Sequence, residues 1–169
     1  MNLFFLRHAR AFPRGPKFRP DSKRPLTPEG EKTMRAAAAG IRKLDLSFDL
    51  ILASPYLRAL RTAEILAEAF DSKKLFVTSH LAADADPREV IAEIVENFGA
   101  LENIALVGHE PFLSATISRL LTGGPDLKID FKKAALCKLS VEELRFGKCA
   151  SLCWLLTPRQ LARLGKRGG

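Results

Sequence analysis

Four side chains that can bind or attack a phosphoryl group come from three separate segments of the sequence. Arginine guanidinium groups stay charged and bind phosphate oxygens through paired N–H donors. A histidine imidazole serves as a nucleophile or an acid near neutral pH. These residue types predict a phosphoryl-transfer site that works without a metal ion. Its members are Arg7, His8, Arg58 and His109.

Each of these side chains follows an apolar run that is typical of a buried β-strand. Ligands of α/β sheets bind beyond the carboxyl ends of the strands, so side chains that follow such runs converge at one edge. The segment Gly108-His109-Glu110-Pro111 also precedes a predicted helix, whose first N–H groups favour anions. The runs are 2–6, which precedes Arg7 and His8, 49–53, which precedes Arg58, and 103–107, which precedes His109.

A zinc site is the alternative to this metal-free chemistry, because His8, His80 and His109 are all of a zinc-ligand type. No pair of them has the close spacing of a His-x-x-x-His helix motif, and the adjacent arginines would repel a cation. We therefore expect no metal and no other cofactor. His80 is interpreted as a loop residue.

Short apolar runs alternate with longer segments of helical period, which predicts an α/β fold with a mostly parallel sheet. Near-continuous apolar runs predict strands covered on both faces. We expect a three-layer, mostly parallel mixed sheet with helices on both faces, in one domain over residues 1–169. The predicted strands are 2–6, 49–53, 74–78 and 103–107, followed by an antiparallel edge from 134–141 and 149–156.

Proline and glycine residues mark the ends of the predicted helices. Asp86-Pro87 supplies an N-cap and a first-turn proline, and Gly99 supplies a stop. Pro111 opens a further helix that ends before Gly123-Gly124, and Thr157-Pro158 opens a short helix near the C-terminus. Apolar faces at helical spacing predict two more helices, over 34–44 and 60–70.

Residues 10–28 interrupt this alternation, since they hold five prolines and many bases but little apolar period. Long irregular segments of compact domains often carry function. The segment is therefore predicted to be a loop that either takes part in the site or is a solvated surface excursion.

The basic excess lies in one part of the chain. The 169 residues carry a net charge of +8, and residues 7–43 contain eleven bases and three acids, an excess that equals the whole net charge. Such a segment suits nucleic acid, an anionic membrane surface or an acidic ligand. It lacks the interleaved aromatic residues that stack on bases, so we expect no nucleic-acid partner.

Apolar runs and cysteines bear on the compartment. Every apolar run is shorter than the ~20 residues that cross a bilayer, and run 3–6 is too short for the apolar part of a signal peptide. Cys137, Cys149 and Cys153 form no C-x-x-C pair and predict reduced thiols. We expect a cytoplasmic monomer without a membrane partner.

Four motifs resemble those of a known family. The first three are Leu6-Arg7-His8-Ala9, Ser54-Pro55-x-x-Arg58 and Val107-Gly108-His109-Glu110-Pro111, which look like the histidine phosphatase superfamily. The fourth, Arg24-Pro25-Leu26-Thr27-Pro28-Glu29-Gly30, is similar to the small SixA-like phosphohistidine phosphatases within it. The resemblance implies a phosphoglycerate mutase-like fold.

The resemblance also implies a role for each site residue. His8 would be the nucleophile and would form a covalent phosphohistidine that water hydrolyses. Arg7, Arg58 and His109 would hold the phosphoryl oxygens. Arg24 would line the pocket.

The protonation of the two histidines follows from these roles. An attacking imidazole must be neutral, so a backbone carbonyl or Ser54 is needed to hold the second ring nitrogen of His8. The charge of His109 stays open, because two arginines and a helix N-terminus oppose its protonation while a bound phosphate dianion favours it.

The leaving group decides whether the site needs a general acid. An alkoxide needs one, and in larger branches of the family a glutamate after the third strand supplies it. Here that region offers Asp84 and Asp86, and Asp86 is better explained as a helix N-cap. Protonated imidazole leaves without such help. A phosphohistidine-containing signalling protein is therefore the expected substrate.

Two other functions are compatible with the sequence. One is a phosphatase for small-molecule or Ser/Thr/Tyr phosphomonoesters, with Asp84 or Asp86 as general acid. The other is a non-catalytic phosphate or nucleic-acid binding module, which the basic segment supports. Replacing each aspartate with asparagine separates the two phosphatases. Phosphate release by the wild type beside His8→Ala separates an enzyme from a binding module.

Overall fold

The computed structural model describes residues 1–72 and 74–166, which contain a six-stranded mixed sheet. Its strands are β1 (Asn2–Arg7), β2 (Leu50–Ala53), β3 (Leu75–Val77), β4 (Asn103–Gly108), β5 (Leu136–Val141) and β6 (Ala150–Leu156). In the order β3-β2-β4-β1-β5-β6, the first four strands run parallel, and β5 and β6 are added antiparallel. The predicted mixed sheet is confirmed.

Helices cover both faces of this sheet. The helices are α1 (Pro28–Arg42), α2 (Leu57–Ala69), α3 (Pro87–Phe98), α4 (Phe112–Thr122) and α5 (Pro158–Lys166). Alternate strand residues point to opposite faces, so Phe4 and Leu6 pack with α1, α2 and α5, while Leu3 and Phe5 pack with α3 and α4. The predicted three-layer arrangement is confirmed.

Strand β3 is shorter and less buried than predicted. It spans three residues, and the side chains of Phe76 and Val77 are 54% and 53% exposed. β3 is the terminal strand of the described sheet, so one side of it lacks a neighbour. The prediction of a strand covered on both faces was wrong here, because an apolar run does not distinguish a central strand from an edge strand.

Several predicted helix ends are confirmed by local geometry. An Asp86 side-chain oxygen accepts from the Arg88 backbone N–H at 2.9 Å and caps α3, which Gly99 ends. Gly123 ends α4 with a φ of 87°, a left-handed conformation that glycine adopts without strain. Pro111 lies immediately before α4 and not in its first turn.

The segment 10–28 is closed by backbone hydrogen bonds at its two ends. Ala11 and Leu26 form an isolated β-bridge, and the Thr27 N–H donates to the Arg10 carbonyl at 2.9 Å. A Cβ at position 30 would overlap that same carbonyl, so Gly30 allows the first turn of α1 to pack directly against the backbone of Arg10. A short 3-10 turn, Asp21–Lys23, lies within the loop.

The described helices are of moderate length, and the longest of them, α1, has 15 residues. Across 1–72 and 74–166, no helix combines the length and apolar character needed to cross a membrane.

Candidate active site

The chemistry-bearing side chains lie at the carboxyl edge of three neighbouring strands. Strands β2, β4 and β1 are adjacent and parallel, so their C-terminal ends meet. The His8 N–H donates to the Gly108 carbonyl at 3.0 Å, and the Ser54 N–H donates to the Val107 carbonyl at 3.0 Å. The ring centroids of His8 and His109 come within 5.1 Å. The structure thus brings together segments that are far apart in the sequence.

The ring of His8 is held in one tautomer. Its Nδ1 lies 2.7 Å from the Ala9 carbonyl oxygen, and because a carbonyl only accepts, Nδ1 carries the proton. Nε2 therefore keeps a lone pair, which accepts from Arg58 Nε at 3.3 Å. Of the two partners that the sequence left open for the second ring nitrogen, the backbone carbonyl is the one used.

Burial lowers the pKa of His8 to about 3, against the carbonyl of Ala9, which raises it. The positive charges of Arg58, Arg7 and Lys133 lower this pKa further. The imidazole is therefore neutral at pH 7, which a nucleophilic lone pair requires.

Arg58 carries a buried guanidinium, and the residue is 2% exposed. It is held by the basic loop, which is the segment of residues 10–28. Its Nη1 donates to the Asp21 carbonyl at 3.0 Å, and its Nη2 lies 3.0 Å from a side-chain oxygen of Asp21. Thr62 accepts from the Ala9 N–H at 3.1 Å and donates to the Arg58 carbonyl at 2.6 Å, which joins the first turns of α2 to the end of β1. A buried charge is stable only with such partners.

Arg24 brings the basic loop into the site. Its Nε donates to Asp21 at 3.0 Å and its Nη1 to the Phe12 carbonyl at 2.8 Å. Because Asp21 also holds Arg58, the loop is part of the site architecture and not a detached surface excursion.

Arg7 ends β1 and points one nitrogen at a neighbouring loop. Its Nη1 donates to the Phe131 carbonyl at 2.6 Å. Its Nε is buried and has no hydrogen-bond partner among the described residues. A buried N–H without a partner is costly, and an anion in the site would satisfy it.

His109 is 1% exposed and makes a hydrogen bond to Ser54, with 2.8 Å between Nε2 and Oγ. The Ser54 hydroxyl also accepts from the Tyr56 N–H at 3.3 Å, so its own proton is free to go to Nε2. In that arrangement the His109 proton sits on Nδ1. This Nδ1 is the second buried nitrogen without a partner in the part of the chain that the structure describes.

Burial lowers the pKa of His109 to about 3, and His8 and Arg58 lower it further. The question of its charge, open at the sequence level, is thereby answered for the phosphate-free protein: the ring is neutral. It still presents an N–H donor if Ser54 holds Nε2.

Two residues of the site were missed by the sequence analysis. Asp21 is paired with Arg14, Arg24 and Arg58. One of only three acids in the basic stretch 7–43, it could have been singled out as their counter-charge. Lys133 precedes β5 and acts on His8 through its charge. No signal in the sequence marks it.

The remaining polar residues of interest lie around the site or away from it. An oxygen of Asp84 accepts from the Tyr56 hydroxyl at 3.3 Å, and the Tyr56 ring lies 4.9 Å from that of His109. Asp86 is engaged as the cap of α3. His80 bonds to Glu93 with 3.0 Å between Nδ1 and Oε2, in a short helical turn.

Within residues 1–72 and 74–166, no group of three or more His, Cys, Asp or Glu side chains is arranged to hold a metal ion. Apart from Asp21, which is paired with three arginines, the charged and ring groups of the site are cations and neutral imidazoles, which suit the oxygens of an anion.

Sequence comparison decides the family. A model of the histidine phosphatase superfamily (branch 1) matches residues 3–83, a segment that holds Arg7, His8 and Arg58. The chain belongs to the histidine phosphatase superfamily. An uncharacterised protein of Picosynechococcus sp. is 35% identical over 141 residues, which cover 82% of this chain and 84% of that protein.

Solved structures of the histidine phosphatase fold superimpose along nearly the whole chain. The protein histidine phosphatase SixA, complexed with tungstate, matches with a TM-score of 0.82 and 24% identity and covers 95% of this chain and 99% of that one. The mycobacterial glucosyl-3-phosphoglycerate phosphatase, complexed with VO3, matches with a TM-score of 0.66 and 19% identity over 90% and 97%. The predicted family resemblance is confirmed.

Proposed function

We propose that the chain is a phosphatase that removes the phosphoryl group from phosphohistidine in proteins, through a covalent phosphohistidine on His8. Membership of the histidine phosphatase superfamily supports a phosphatase. The observation that carries the proposal is a pair of buried unpartnered nitrogens: Arg7 Nε, on the residue next to His8, and His109 Nδ1, on the ring whose centroid lies 5.1 Å from that of His8. Phosphoryl oxygens would satisfy both nitrogens.

The first step transfers the phosphoryl group to the enzyme. The lone pair of His8 Nε2 attacks phosphorus, and the bond from phosphorus to the substrate imidazole breaks. The leaving imidazole, already protonated on its other nitrogen, takes the bonding pair and departs neutral. Arg7, Arg58 and His109 stabilise the negative charge that spreads over the three phosphoryl oxygens.

The second step frees the enzyme. Water attacks the phosphorus on His8, the bond to Nε2 breaks, and Nε2 recovers its lone pair. The phosphate carries the water oxygen, and the water protons pass to phosphate and solvent. The Ala9 carbonyl keeps the His8 proton on Nδ1 throughout, so Nε2 is ready for the next cycle.

The leaving group favours phosphohistidine over a phosphomonoester. Asp21, the carboxylate that contacts Arg58 in the site, is held by three arginines and is not placed to donate a proton. Asp86 is used as a helix cap, and Asp84 contacts Tyr56. A protonated imidazole needs no such donor. The likeness of the fold to the protein histidine phosphatase SixA supports this substrate.

The partner, compartment and assembly form part of the same proposal. The substrate is a phosphohistidine-containing signalling protein, and the enzyme acts on it as a cytoplasmic monomer. The exposed basic side chains of Arg10 and Lys133, which line a cavity with Arg24, support a protein substrate, because they would attract an anionic macromolecular surface.

A small-molecule or Ser/Thr/Tyr phosphomonoester is the second candidate substrate. It is favoured by the contact between Asp84 and the Tyr56 hydroxyl, because the Tyr56 ring lies 4.9 Å from that of His109 and so links this carboxylate to the site. The similarity of fold to glucosyl-3-phosphoglycerate phosphatase supports it as well. In this case Asp84 would protonate the leaving oxygen.

Trapping the intermediate tests the proposal. The wild type, incubated briefly with a 32P-phosphohistidine protein and quenched in alkali, is expected to carry label on His8 alone. His8→Asn is expected to carry none, while His80→Asn, which changes a histidine outside the site, should label like the wild type. Label on any other residue would contradict the mechanism.

Asparagine variants of the two aspartates separate the candidate substrates. With a phosphohistidine protein, Asp84→Asn should keep kcat/KM within about twofold of the wild type. With an alkyl phosphate, a fall of about 100-fold in the kcat/KM of Asp84→Asn would favour the second candidate, because general acid catalysis typically contributes that much. Asp86→Asn is the matched control, since asparagine also caps helices.

A further inference from the structure

A cavity opens beside the phosphoryl site, on the side of the basic loop. Its volume is about 460 Å3, and it has the size of a small ligand site. Three cationic side chains line it, together with a short apolar wall and one carboxylate. The lining cations are Arg10, Arg24 and Lys133, and the carboxylate is Glu29.

Two of these cations lack a counter-charge. Within the described part of the chain, neither Arg10 nor Lys133 has a carboxylate within 4.0 Å. Both are exposed to solvent in the cavity. By contrast, Lys132, which immediately precedes Lys133, pairs with Asp130 at 2.7 Å. With Glu29 as its one lining carboxylate against three cations, the cavity keeps an excess of positive charge.

The charges that line the cavity also act at the nucleophile. The charge of Lys133 acts on His8, and the charges of Arg7, Arg10 and Arg24 act on Lys133. Burial and these charges lower the pKa of Lys133, so an anion in the cavity would relieve the repulsion. The backbone beside Lys133 is anchored to the end of β1, because the adjacent Ala134 N–H donates to the Arg7 carbonyl at 3.0 Å.

We propose that this cavity is a second-anion subsite, in which Arg10 and Lys133 bind a carboxylate of the substrate segment next to its phosphohistidine. The proposal deepens the proposed function and rests on it. Arg24 links the cavity to the phosphoryl site, because it lines the cavity and shares its partner Asp21 with Arg58. An aspartate or glutamate near the phosphohistidine would therefore strengthen binding without taking part in the chemistry.

Paired peptides test the subsite. Histidine peptides, phosphorylated with phosphoramidate, carry either aspartate or asparagine at each position within three residues of the phosphohistidine. For at least one position, the wild type is expected to bind the aspartate peptide with a KM about fivefold lower, as suits a partly exposed ion pair. The kcat should be equal for the two peptides of that pair.

Two neighbouring lysines provide the variant and its matched control. Lys133→Met is expected to abolish the fivefold preference, so that its KM values for the aspartate and asparagine peptides are equal, whatever change in kcat the two peptides share. Lys132→Met, which changes a lysine paired elsewhere, should keep the preference. If no aspartate position lowers KM in the wild type, or if both variants keep the preference, the subsite proposal is wrong.

A second readout keeps the subsite separate from the proposed function. If the wild type hydrolyses none of the peptides, the proposed substrate is wrong, and the subsite is then tested with an aryl phosphate that bears an extra carboxylate and with its amide. A lower KM for the carboxylate, lost in Lys133→Met, would mean that the second anion comes from a small molecule and would overturn the peptide assignment. Equal KM values would overturn the subsite altogether.

Discussion

The Nε–H of Arg58 donates to Nε2 of His8 at 3.3 Å, so the buried guanidinium touches the ring nitrogen that is the candidate nucleophile. The guanidinium at this position disfavours a proton on Nε2, because the Arg58 N–H and that proton would both need the same lone pair. The same contact therefore keeps the imidazole neutral and places a phosphate-binding group beside the attacking atom.

Both site histidines should remain neutral in mildly acidic solution. Burial and the neighbouring cations lower the pKa of His8 and of His109 to about 3, so neither ring should gain a proton between pH 7.5 and pH 5. Long-range 1H–15N NMR spectra of the phosphate-free protein should show His8 with its proton on Nδ1 over this range. Ring shifts that titrate with a midpoint near pH 6.5 would contradict the burial argument.

Protein stability should fall as the pH drops below about 6.5. Each of these histidines has a folded-state pKa below its unfolded value, so the unfolded state binds more protons and the stabilisation present above pH 6.5 is lost toward pH 3. Each ring should contribute a slope of up to about 1.4 kcal/mol per pH unit. Urea unfolding at pH 7, 6 and 5 should give a shallower slope for His109→Asn; an unchanged slope would exclude His109 as a source.

Removing the carboxylate of Asp21 should impair catalysis through the arginines that it holds. Asp21→Ala removes the carboxylate that Arg58 and Arg24 share, while Arg58 keeps its bond to the backbone carbonyl of residue 21, and the less firmly held guanidinium groups should lower kcat/KM about tenfold, or about 1.4 kcal/mol. Steady-state assays measure the change. Asp130→Ala, which removes an exposed carboxylate paired with Lys132, is the matched control and should be neutral.

The hydroxyl of Ser54 should set which nitrogen of His109 carries the proton. In Ser54→Ala the donor to Nε2 is lost, Nδ1 no longer keeps its proton in every molecule, and kcat should fall about tenfold. Ser54→Thr retains the hydroxyl and should recover most of the activity. NMR detection of the His109 tautomer provides the readout that a merely structural effect would not change, and an unaltered tautomer in Ser54→Ala would refute this role.

The contact between α1 and α5 depends on a glycine. A Cβ at position 40 would overlap the backbone carbonyl of Leu161, so Gly40→Ala should destabilise the protein by about 1–3 kcal/mol despite the better helix propensity of alanine. Thermal unfolding measures the effect. Gly147→Ala adds a Cβ where no atom lies within 4 Å and should leave Tm unchanged. Equal Tm values for both variants would mean that the helices can move apart freely.

Much of the active site was predictable because it depends on local pattern. Apolar runs locate the strands, and in parallel sheets the residues after such runs meet at one edge. This reasoning placed Arg7, His8, Arg58 and His109 in one region from the sequence alone. Helix caps such as Asp86 were equally predictable, because a cap contacts only its own first turn.

The tertiary structure decided what depends on contacts between distant segments. It selected the Ala9 carbonyl as the partner of the His8 ring and made Asp21 the shared partner of Arg24 and Arg58. It also placed Lys133 where its charge lowers the pKa of His8. It also put β3 at the sheet edge. Sequence alone thus determined the family, the strand ends and the chemical groups available. Burial and long-range charge, which exist only once the chain is folded, decided their protonation and partners.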